Sequence, residues 1–245
     1  MPRALIVDDE AQANALLCAL MKFRGYEVVS AFDGAQAEAL ANAGDLDVIL
    51  LDLMLPDRDG RVLCEAWSFS AKTCAIPVVV VSARLLAENR DLCFRAGACA
   101  FVPKPFTPDQ LFAALEIASA WRNQNQSATS EVNLSLGGDP EEFHRGRAQV
   151  RASLLSIVGI PNRLVPRVDE TLCVVHDLLG EEARTANAHC VFLPNGVEVS
   201  LTGVLNPAVR ELIDARSHAF DEVRLSEDRV FLRRAWGGDH QSATA

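Results

Sequence analysis

The sequence lacks the features that mark secreted, disulfide-linked and membrane-spanning proteins. No apolar run approaches the roughly 18 residues that a membrane-spanning helix needs. Seven cysteines are present without a CxxC pair, so we expect reduced, buried thiols rather than a disulfide framework. An apolar strand begins directly after Met1-Pro2-Arg3, which leaves no room for a signal peptide. These absences predict a cytoplasmic protein that does not engage a membrane.

Lysine is scarce, and positive charge is not clustered. The three lysines, Lys22, Lys72 and Lys104, all lie in the first half of the chain. The net charge of −10 divides evenly, since residues 1–130 and residues 131–245 each carry −5. A general nucleic-acid surface needs clustered lysine and arginine to neutralise phosphates. The composition therefore disfavours DNA as a partner, and the length of 245 residues suits two domains.

Four short polar strings follow apolar runs in the first 105 residues. Asp8-Asp9 follow Ala4–Val7, Asp52 follows Val48–Leu51, Ser82 follows Val78–Val81, and Lys104-Pro105 come shortly after Ala100–Val102. Apolar runs that alternate with helical stretches predict five βα units and a parallel sheet covered on both faces. Function in such a doubly wound sheet gathers beyond the carboxyl ends of the strands. We therefore expect all four strings at one edge of the sheet.

The residue types in these strings predict a metal and phosphoryl site. Asp8, Asp9 and Asp52 would repel one another, and a hard cation such as Mg²⁺ relieves that repulsion. Asp52 can then act as a carboxylate nucleophile towards a phosphoryl group. Lys104 supplies a point charge and Ser82 a hydroxyl donor for the phosphoryl oxygens.

The strings also carry a family resemblance. VDD (7–9), LDLMLPDRDG (51–60), VVVVSA (78–83) and GACAFVPKPF (97–106) resemble, in this order and spacing, the receiver domain of two-component response regulators. The resemblance implies a flavodoxin-like (βα)5 receiver domain over residues 1–121.

The resemblance assigns roles around the acidic cluster. It implies that Asp52 is the phosphoacceptor and receives its phosphoryl group from a sensor histidine kinase. It implies that Asp9, Asp52 and the backbone carbonyl of Met54 bind Mg²⁺ directly, and that Asp8 acts through water.

The resemblance also assigns roles to the remaining motif residues. Ser82 and Lys104 would hold the phosphoryl group, and Lys104-Pro105 would be a cis peptide bond. Gly60 would close the turn after the phosphoacceptor. Ser82 and Phe101 would form the switch, in which burial of the aromatic ring accompanies movement of the hydroxyl towards the phosphate.

The second half of the chain predicts a different fold. Residues 122–130 are polar and unpatterned and predict a linker, and residues 237–245 predict a flexible tail. Residues 131–236 predict the order β-α-α-β-β-α-β-β, a two-layer α+β domain with a mixed sheet. DPEEFHRGRAQVRASLLSIVGIP and VRELIDARSHAFDEVRLSEDRVFLRRA are similar to parts of the ATP-binding fold of anti-sigma serine kinases and histidine kinases.

This sequence departs from that second family at its ATP-binding positions. His176 and Gly180 stand where the family has a Glu and an Asn for Mg²⁺-ATP. Leu201-Thr202-Gly203 replaces the adenine-binding Asp-x-Gly, and a glycine-rich lid is absent before Pro207. We therefore expect a degenerate domain that is not an enzyme, binds no nucleotide cofactor and acts by protein docking. The resemblance suggests a sigma factor or an anti-sigma antagonist as the partner, and it leaves homodimerisation open.

Two alternatives remain for the second domain. A DNA-binding transcriptional regulator would use the terminal hairpin with Arg229, Arg233 and Arg234 to contact phosphates. A kinase or phosphotransferase would act through His144, whose simpler interpretation is a solvated helix residue. His189 and Cys190 have no partners at metal-ligand spacing, so zinc is not expected.

Overall fold

The computed structural model divides the chain into two compact units, Met1–Ser127 and Ala128–Ala245. It describes residues 1–83, 87–125, 131–136, 139–155, 164–179, 186–193, 196–203, 211, 222–225 and 229–235. The division falls inside the segment predicted to be a linker, residues 122–130.

The first unit is an alternation of five strands and five helices. These are β1 (Arg3–Val7), α1 (Ala11–Phe23), β2 (Glu27–Ala31), α2 (Gly34–Asn42), β3 (Val48–Leu51), α3 (Gly60–Ser68), β4 (Val78–Ser82), α4 (Ala87–Ala96), β5 (Ala100–Pro103) and α5 (Pro108–Asn125). All strand pairs are parallel, and the strand order is β2-β1-β3-β4-β5. This order is that of flavodoxin-like doubly wound sheets. The predicted fold of the first half is confirmed.

The three inner strands of this sheet form the centre of the core. The four residues of β3 and the four apolar residues of β1 are almost completely buried, as both faces of a central parallel strand require. Helix α2 begins after Asp33, whose side chain accepts a hydrogen bond from the amide of Gln36. Helix α3 begins after Asp59, which accepts from the amide of Arg61.

Helix α5 continues four residues into the segment predicted to be a linker. Trp121 is only 3% exposed, so the apolar face of the helix extends to that residue. The guanidinium of Arg122 donates to the carbonyl of Leu46 at 2.6 Å and pairs with Asp47 at 3.0 Å. The polar composition of this segment concealed these anchoring contacts.

The second unit contains five strands and two helices among its described residues. These are β6 (Glu131–Ser135), α6 (Pro140–Leu155), α7 (Leu164–Leu179), β7 (Asn187–Leu193), β8 (Gly196–Thr202), β9 (Glu222–Leu225) and β10 (Arg229–Ala235). The strand order is β6-β7-β8-β10-β9, and every pair is antiparallel. The predicted mixed sheet is therefore wrong. The predicted helix at 207–217, the lid region before it and the tail at 237–245 lie outside the described residues.

The antiparallel arrangement of this second sheet begins with a short connection. Strands β7 and β8 form a hairpin in which Leu193 pairs with Gly196, so only two residues connect them. Strand β10 then lies antiparallel to β8 and to β9. Alternate residues such as Val132 and Leu134 are buried, and helix α6 packs against β6.

No helix among the described residues has both the length and the apolar character required to cross a membrane.

Candidate functional site

Three carboxylates converge at the carboxyl ends of β1 and β3. Asp8 and Asp9 follow β1, and Asp52 follows β3, the neighbouring strand. One oxygen of each carboxylate lies within 4.8 Å of an oxygen of the other two. Asp8 is completely buried, Asp52 is 7% exposed, and Asp9 is exposed. The sequence prediction that these three residues share one edge of the sheet agrees with this geometry.

Lys104 and Ser82 contact the same carboxylates. The Nζ atom of Lys104 lies 2.7 Å from Oδ2 of Asp8 and 2.6 Å from Oδ2 of Asp52. The hydroxyl of Ser82 donates to Oδ1 of Asp52 at 3.0 Å. Ser82 ends β4, and its carbonyl accepts the amide of Lys104 at 2.9 Å, which places both side chains beside β3. The peptide bond between Lys104 and Pro105 is cis, as the resemblance implied.

Burial and charge oppose each other in this cluster. Burial raises the pKa of the Asp8 carboxyl above its usual value, although the hydrogen bond and charge of Lys104 act in the other direction. For Lys104, burial alone would lower the pKa, but hydrogen bonds from its ammonium to Asp52 and Asp8, with their charges, raise it overall. The cluster is therefore an ammonium held between two carboxylates, one of which is costly to ionise.

The loop from β3 to α3 shapes the surroundings of Asp52. The amide of Met54 donates to Oδ1 of Asp52 at 3.2 Å, and Met54 forms an isolated antiparallel bridge with Asp59. The amide of Gly60 donates to the carbonyl of Leu53 at 2.9 Å. A Cβ atom at position 60 would lie 2.4 Å from the carbonyl oxygen of Asp52, closer than real Cβ atoms approach. Glycine is therefore required where the chain turns back after Asp52.

Phe101 lies on β5, opposite Val80 of β4, and is partly buried against the core. Both members of the predicted switch, Ser82 and Phe101, are thus on neighbouring strands of the sheet. Their switching role stays a prediction.

The donor set suits a hard divalent cation. All three side chains offer carboxylate oxygens, which Mg²⁺ prefers over nitrogen or sulfur. Asp8 is completely buried with an upward-shifted pKa, so an additional positive charge beside it would favour its ionised form. The residues present therefore fit Mg²⁺, with Asp9 at the exposed side of the cluster.

Two supporting residues were not singled out from the sequence. The side-chain amide of Asn14, on α1, donates to the backbone carbonyls of Asp8 and Ala31 at 3.2 and 3.3 Å, which fixes the end of β1. Asp57, in the β3–α3 loop, accepts hydrogen bonds from α2. Asp57 lies inside the string LDLMLPDRDG, but its partners are distant in sequence and no pattern identifies them.

Two histidines of the second unit, His144 and His176, are buried among other residues of that unit. His144 is only 2% exposed, so its interpretation as a solvated residue is wrong. The Nδ1 atom of His176 lies 2.7 Å from the carbonyl of Leu136, and its ring stacks on Phe143 at 4.0 Å. Gly180 lies outside the described residues. The resemblance to an ATP-binding fold stays a prediction.

The predicted absence of zinc at His189 and Cys190 also stays a prediction. The Nδ1 atom of His189 lies 2.7 Å from Oδ1 of Asn133. Burial raises the pKa of the Cys190 thiol to about 12, so it is a protonated core residue. Among the residues that the structure describes, the three carboxylates of the first unit are the one group with the spacing of a metal site.

Comparison with known proteins identifies the first unit. Residues 4–116 match the family model described as the response regulator receiver domain. The chain is 35% identical over 113 residues to the DNA-binding dual master transcriptional regulator RpaA of Synechocystis, covering 46% of this chain and 47% of that protein. It is 33% identical over 152 residues to the transcriptional regulatory protein TcrA of Mycobacterium tuberculosis, covering 62% and 59%.

Solved structures are similar to about half of this chain. A CheY-like receiver domain protein from Methanospirillum hungatei has 26% identity and a TM-score of 0.46, covering 51% of this chain and 98% of that one. The chain spans about half of the length of the curated relatives RpaA and TcrA. The family match over residues 4–116 shows that the first unit is a response regulator receiver domain, and the second unit has no assignment from these matches.

Proposed function

We propose that this protein is a two-component response regulator that accepts a phosphoryl group on Asp52 from a sensor histidine kinase. The observation that carries the proposal is the set of contacts to the Asp52 carboxylate. Lys104 reaches one oxygen at 2.6 Å, and Ser82 reaches the other at 3.0 Å, with Asp8 on the far side of Lys104. A carboxylate held this way at the end of a strand has its phosphate-binding groups already in place.

Each group has a role in the transfer. A carboxylate oxygen of Asp52 forms a bond to phosphorus as the bond from phosphorus to the kinase histidine breaks, and the imidazole leaves. Lys104, already poised beside Asp52, neutralises charge on the phosphoryl oxygens, and Ser82 donates a hydrogen bond to one of them. Mg²⁺, which Asp9, Asp52 and the Met54 carbonyl would bind directly and Asp8 through water, would supply the remaining positive charge.

Chemical phosphorylation tests this proposal directly. The full chain is incubated with acetyl phosphate and Mg²⁺, and intact-mass spectrometry follows the addition of one phosphoryl group. We expect addition to the wild type, loss of the added group in hydroxylamine, and no addition to Asp52→Asn. Asp45→Asn is the matched control, because Asp45 is another loop aspartate of the same unit but lies outside the carboxylate cluster. Equal labelling of wild type and Asp52→Asn would overturn the assignment.

For the second unit, the first candidate function that we propose is transcriptional regulation through DNA binding. The support is that the relatives RpaA and TcrA are named as transcriptional regulators, RpaA as DNA-binding. On the described part of the second unit, Arg224, Arg229 and Arg233 lie on the paired strands β9 and β10. The side chains of Arg224 and Arg233 are 73% and 43% exposed, and they pair with Glu222 and Glu198, so a phosphate would replace these carboxylates as their partner.

Salt dependence of binding separates DNA from other partners. Fluorescence anisotropy with labelled duplex DNA is measured at several salt concentrations, with and without beryllofluoride. DNA binding predicts that log Kd changes linearly with log salt, and that Arg233→Gln reduces the slope by about 1. Arg95→Gln, a half-buried arginine paired with Asp91 in the first unit, is the control. Absence of salt-dependent binding in both states would remove this candidate.

Protein docking by a degenerate ATPase-like domain is the second candidate. The observation that favours it is the net negative charge of the second half of the chain. The second half carries −5, and two of its arginines, Arg147 and Arg151, are 1% exposed beside Asp169. The surface is therefore more acidic than the arginine count suggests. Retention of a sigma factor or anti-sigma antagonist in only one phosphorylation state, with no DNA binding, would establish docking.

A further inference from the structure

The β3–α3 loop, which carries Met54, is attached to the start of helix α2. The carboxylate of Asp57 accepts the amide of Gly34 at 2.7 Å with one oxygen and the amide of Ala35 at 3.1 Å with the other. These are the first two residues of α2, and amides in the first turn of a helix have no partner within the helix. The helix has a separate cap for the next amide, since Asp33 accepts from Gln36 at 2.7 Å.

A second contact strengthens the attachment. Nε of Arg58 donates to Asp57 at 3.0 Å, and Nη1 of Arg58 donates to Glu38, one turn further along α2, also at 3.0 Å. The side chain of Arg58 lies so close to Gly34 that a Cβ there would be 2.7 Å from it. The tip of the loop therefore rests on the first turn of α2, and a side chain at position 34 would displace the Arg58 side chain.

The base of the same loop is closed beside the phosphoacceptor. Met54 bridges to Asp59, and the Met54 amide donates to Asp52. The backbone of Met54 is thus held at the base of the loop by the bridge to Asp59, and the tip of the loop is held by Asp57. The Met54 amide faces Asp52, and the Met54 carbonyl, which is expected to bind Mg²⁺, belongs to the next peptide unit, nearer to the tip.

We propose that Asp57 is a positioning residue, whose contacts with the first turn of α2 hold the backbone on both sides of Met54 in the conformation that the metal and phosphoryl site requires. This inference rests on the proposed phosphoacceptor function of Asp52. Asp57 is negatively charged at a helix N-terminus, where the amides of Gly34 and Ala35 concentrate positive potential. The same contacts lower the pKa of Asp57, so the carboxylate is ionised throughout the neutral range.

The chain offers a matched pair of variants. Asp57→Ala and Asp33→Ala each remove one carboxylate from the same end of α2. Only Asp57→Ala releases the β3–α3 loop, because Asp33 precedes α2 directly and contacts Gln36 within that helix. Asp57→Asn keeps one oxygen acceptor without the charge, and we expect an intermediate effect.

Mg²⁺ titration of the full chain by calorimetry is the first measurement. Outer residues that orient metal ligands change metal affinity by about 10–100-fold when mutated, and Asp57 acts one step further out. We therefore expect Kd for Mg²⁺ to rise about fivefold in Asp57→Ala and less than about twofold in Asp33→Ala. Equal thermal destabilisation in both variants with unchanged Kd in both would show that Asp57 is merely a helix cap, and would overturn the inference.

Amide hydrogen exchange in metal-free protein is the second measurement, and it does not depend on Mg²⁺ or phosphorylation. We expect Asp57→Ala to accelerate exchange at Met54 and Gly60, and Asp33→Ala to accelerate exchange only near Gln36. Unchanged exchange at Met54 and Gly60 in Asp57→Ala overturns the positioning role. Failure of wild-type protein to bind Mg²⁺ or to accept phosphate at Asp52 would instead overturn the proposed function, whatever the exchange result.

Discussion

Replacing Lys104 with methionine measures how strongly the site depends on its ammonium group. Lys104 is held between Asp8 and Asp52, and the exposed fractions of the three side chains are 17%, 0% and 9%. The variant leaves two neighbouring buried carboxylates without this countercharge. Removing one partner of a buried ion pair costs roughly 3–5 kcal/mol. Because Lys104 and Asp52 retain some contact with water, we expect the lower end, about 3 kcal/mol at neutral pH without metal.

The sign of the pH dependence follows from the two shifted groups. The pKa of Lys104 is raised, so its contribution to stability is complete below pH 10.5 and is lost as pH rises through the still higher folded-state pKa. The pKa of Asp8 is also raised, so its ionisation destabilises the fold as pH rises above 3.8 through the folded-state value. Without Lys104, burial of Asp8 is less opposed and its pKa rises further. The loss in free energy of unfolding that Lys104→Met causes, relative to the wild type, should therefore shrink as pH falls from 7 towards 4.

Urea unfolding monitored by tryptophan fluorescence provides the assay. Trp67 and Trp121 are both 3% exposed and belong to the first unit, so a Trp236→Phe background removes the remaining tryptophan. Lys72→Met is the matched control, because Lys72 is exposed. We expect Lys72→Met to change the free energy of unfolding by less than about 0.5 kcal/mol.

Addition of Mg²⁺ supplies the decisive comparison. A metal that binds only the folded state stabilises it by RT ln(1 + [L]/Kd), and the unpaired carboxylates of Lys104→Met should gain more from it than the wild type. We therefore expect Mg²⁺ to reduce the difference in free energy of unfolding between the wild type and Lys104→Met. A difference that stays constant between pH 5 and pH 8 and does not respond to Mg²⁺ would refute the electrostatic reasoning.

Three further perturbations test separate parts of the structure. Gly60→Ala places a Cβ against rigid backbone, and we expect a loss of about 1–3 kcal/mol in urea unfolding, whereas in Gly146→Ala the new Cβ meets only the end of a flexible leucine side chain and should cost less. The carboxyl of Asp57 should titrate by NMR with a midpoint below 3.8, so its contribution to stability is present above pH 3.8 and is lost below it; a midpoint at or above 3.8 would contradict its contacts with α2. Cys190, with a pKa of about 12, should resist iodoacetamide at pH 8 in the folded protein, while the less buried Cys74 reacts faster; equal rates would place Cys190 at the surface.

The first unit could be predicted from the sequence because its signals are local and redundant. Each apolar run is followed by the residue that acts at the strand end, so Asp8, Asp52, Ser82 and Lys104 are placed once the strands are parallel. The parallel order then brings their side chains together without further information. The tie from Asp57 to Gly34 could not be predicted this way, because it joins a carboxylate to backbone amides 23 residues away. Backbone amides carry no signature in a sequence.

The second unit was harder to predict because its signals admit more than one sheet. The hairpin from β7 to β8 has a local signal, because Asn195-Gly196 is a typical hairpin-turn sequence and it stands where only two residues separate the paired Leu193 and Gly196. The pairing of β10 with β8 joins strands separated by more than 25 residues, and no local pattern specifies the direction of such a pair. The mixed sheet was inferred from the order of strands and helices, and that order does not determine the direction of strand pairs.

The arginines of helix α6 show why a count of arginines overestimates the positive charge at the surface of the second unit. Arg147 and Arg151 are four residues apart, so they lie on one face of the helix, a spacing that is equally common on exposed faces. The structure places Asp169 of α7 against that face, 3.2 Å from Nε of Arg147 and 3.5 Å from Nη1 of Arg151. Burial of charge requires such partners, so these arginines join two helices rather than meet a phosphate. Among the described residues of the second unit, Arg147 and Arg151 are therefore buried away from any nucleic-acid or protein partner, whereas Arg224 and Arg233 are exposed on β9 and β10. Salt-dependent DNA binding, and its response to Arg233→Gln, therefore separates the two candidate functions.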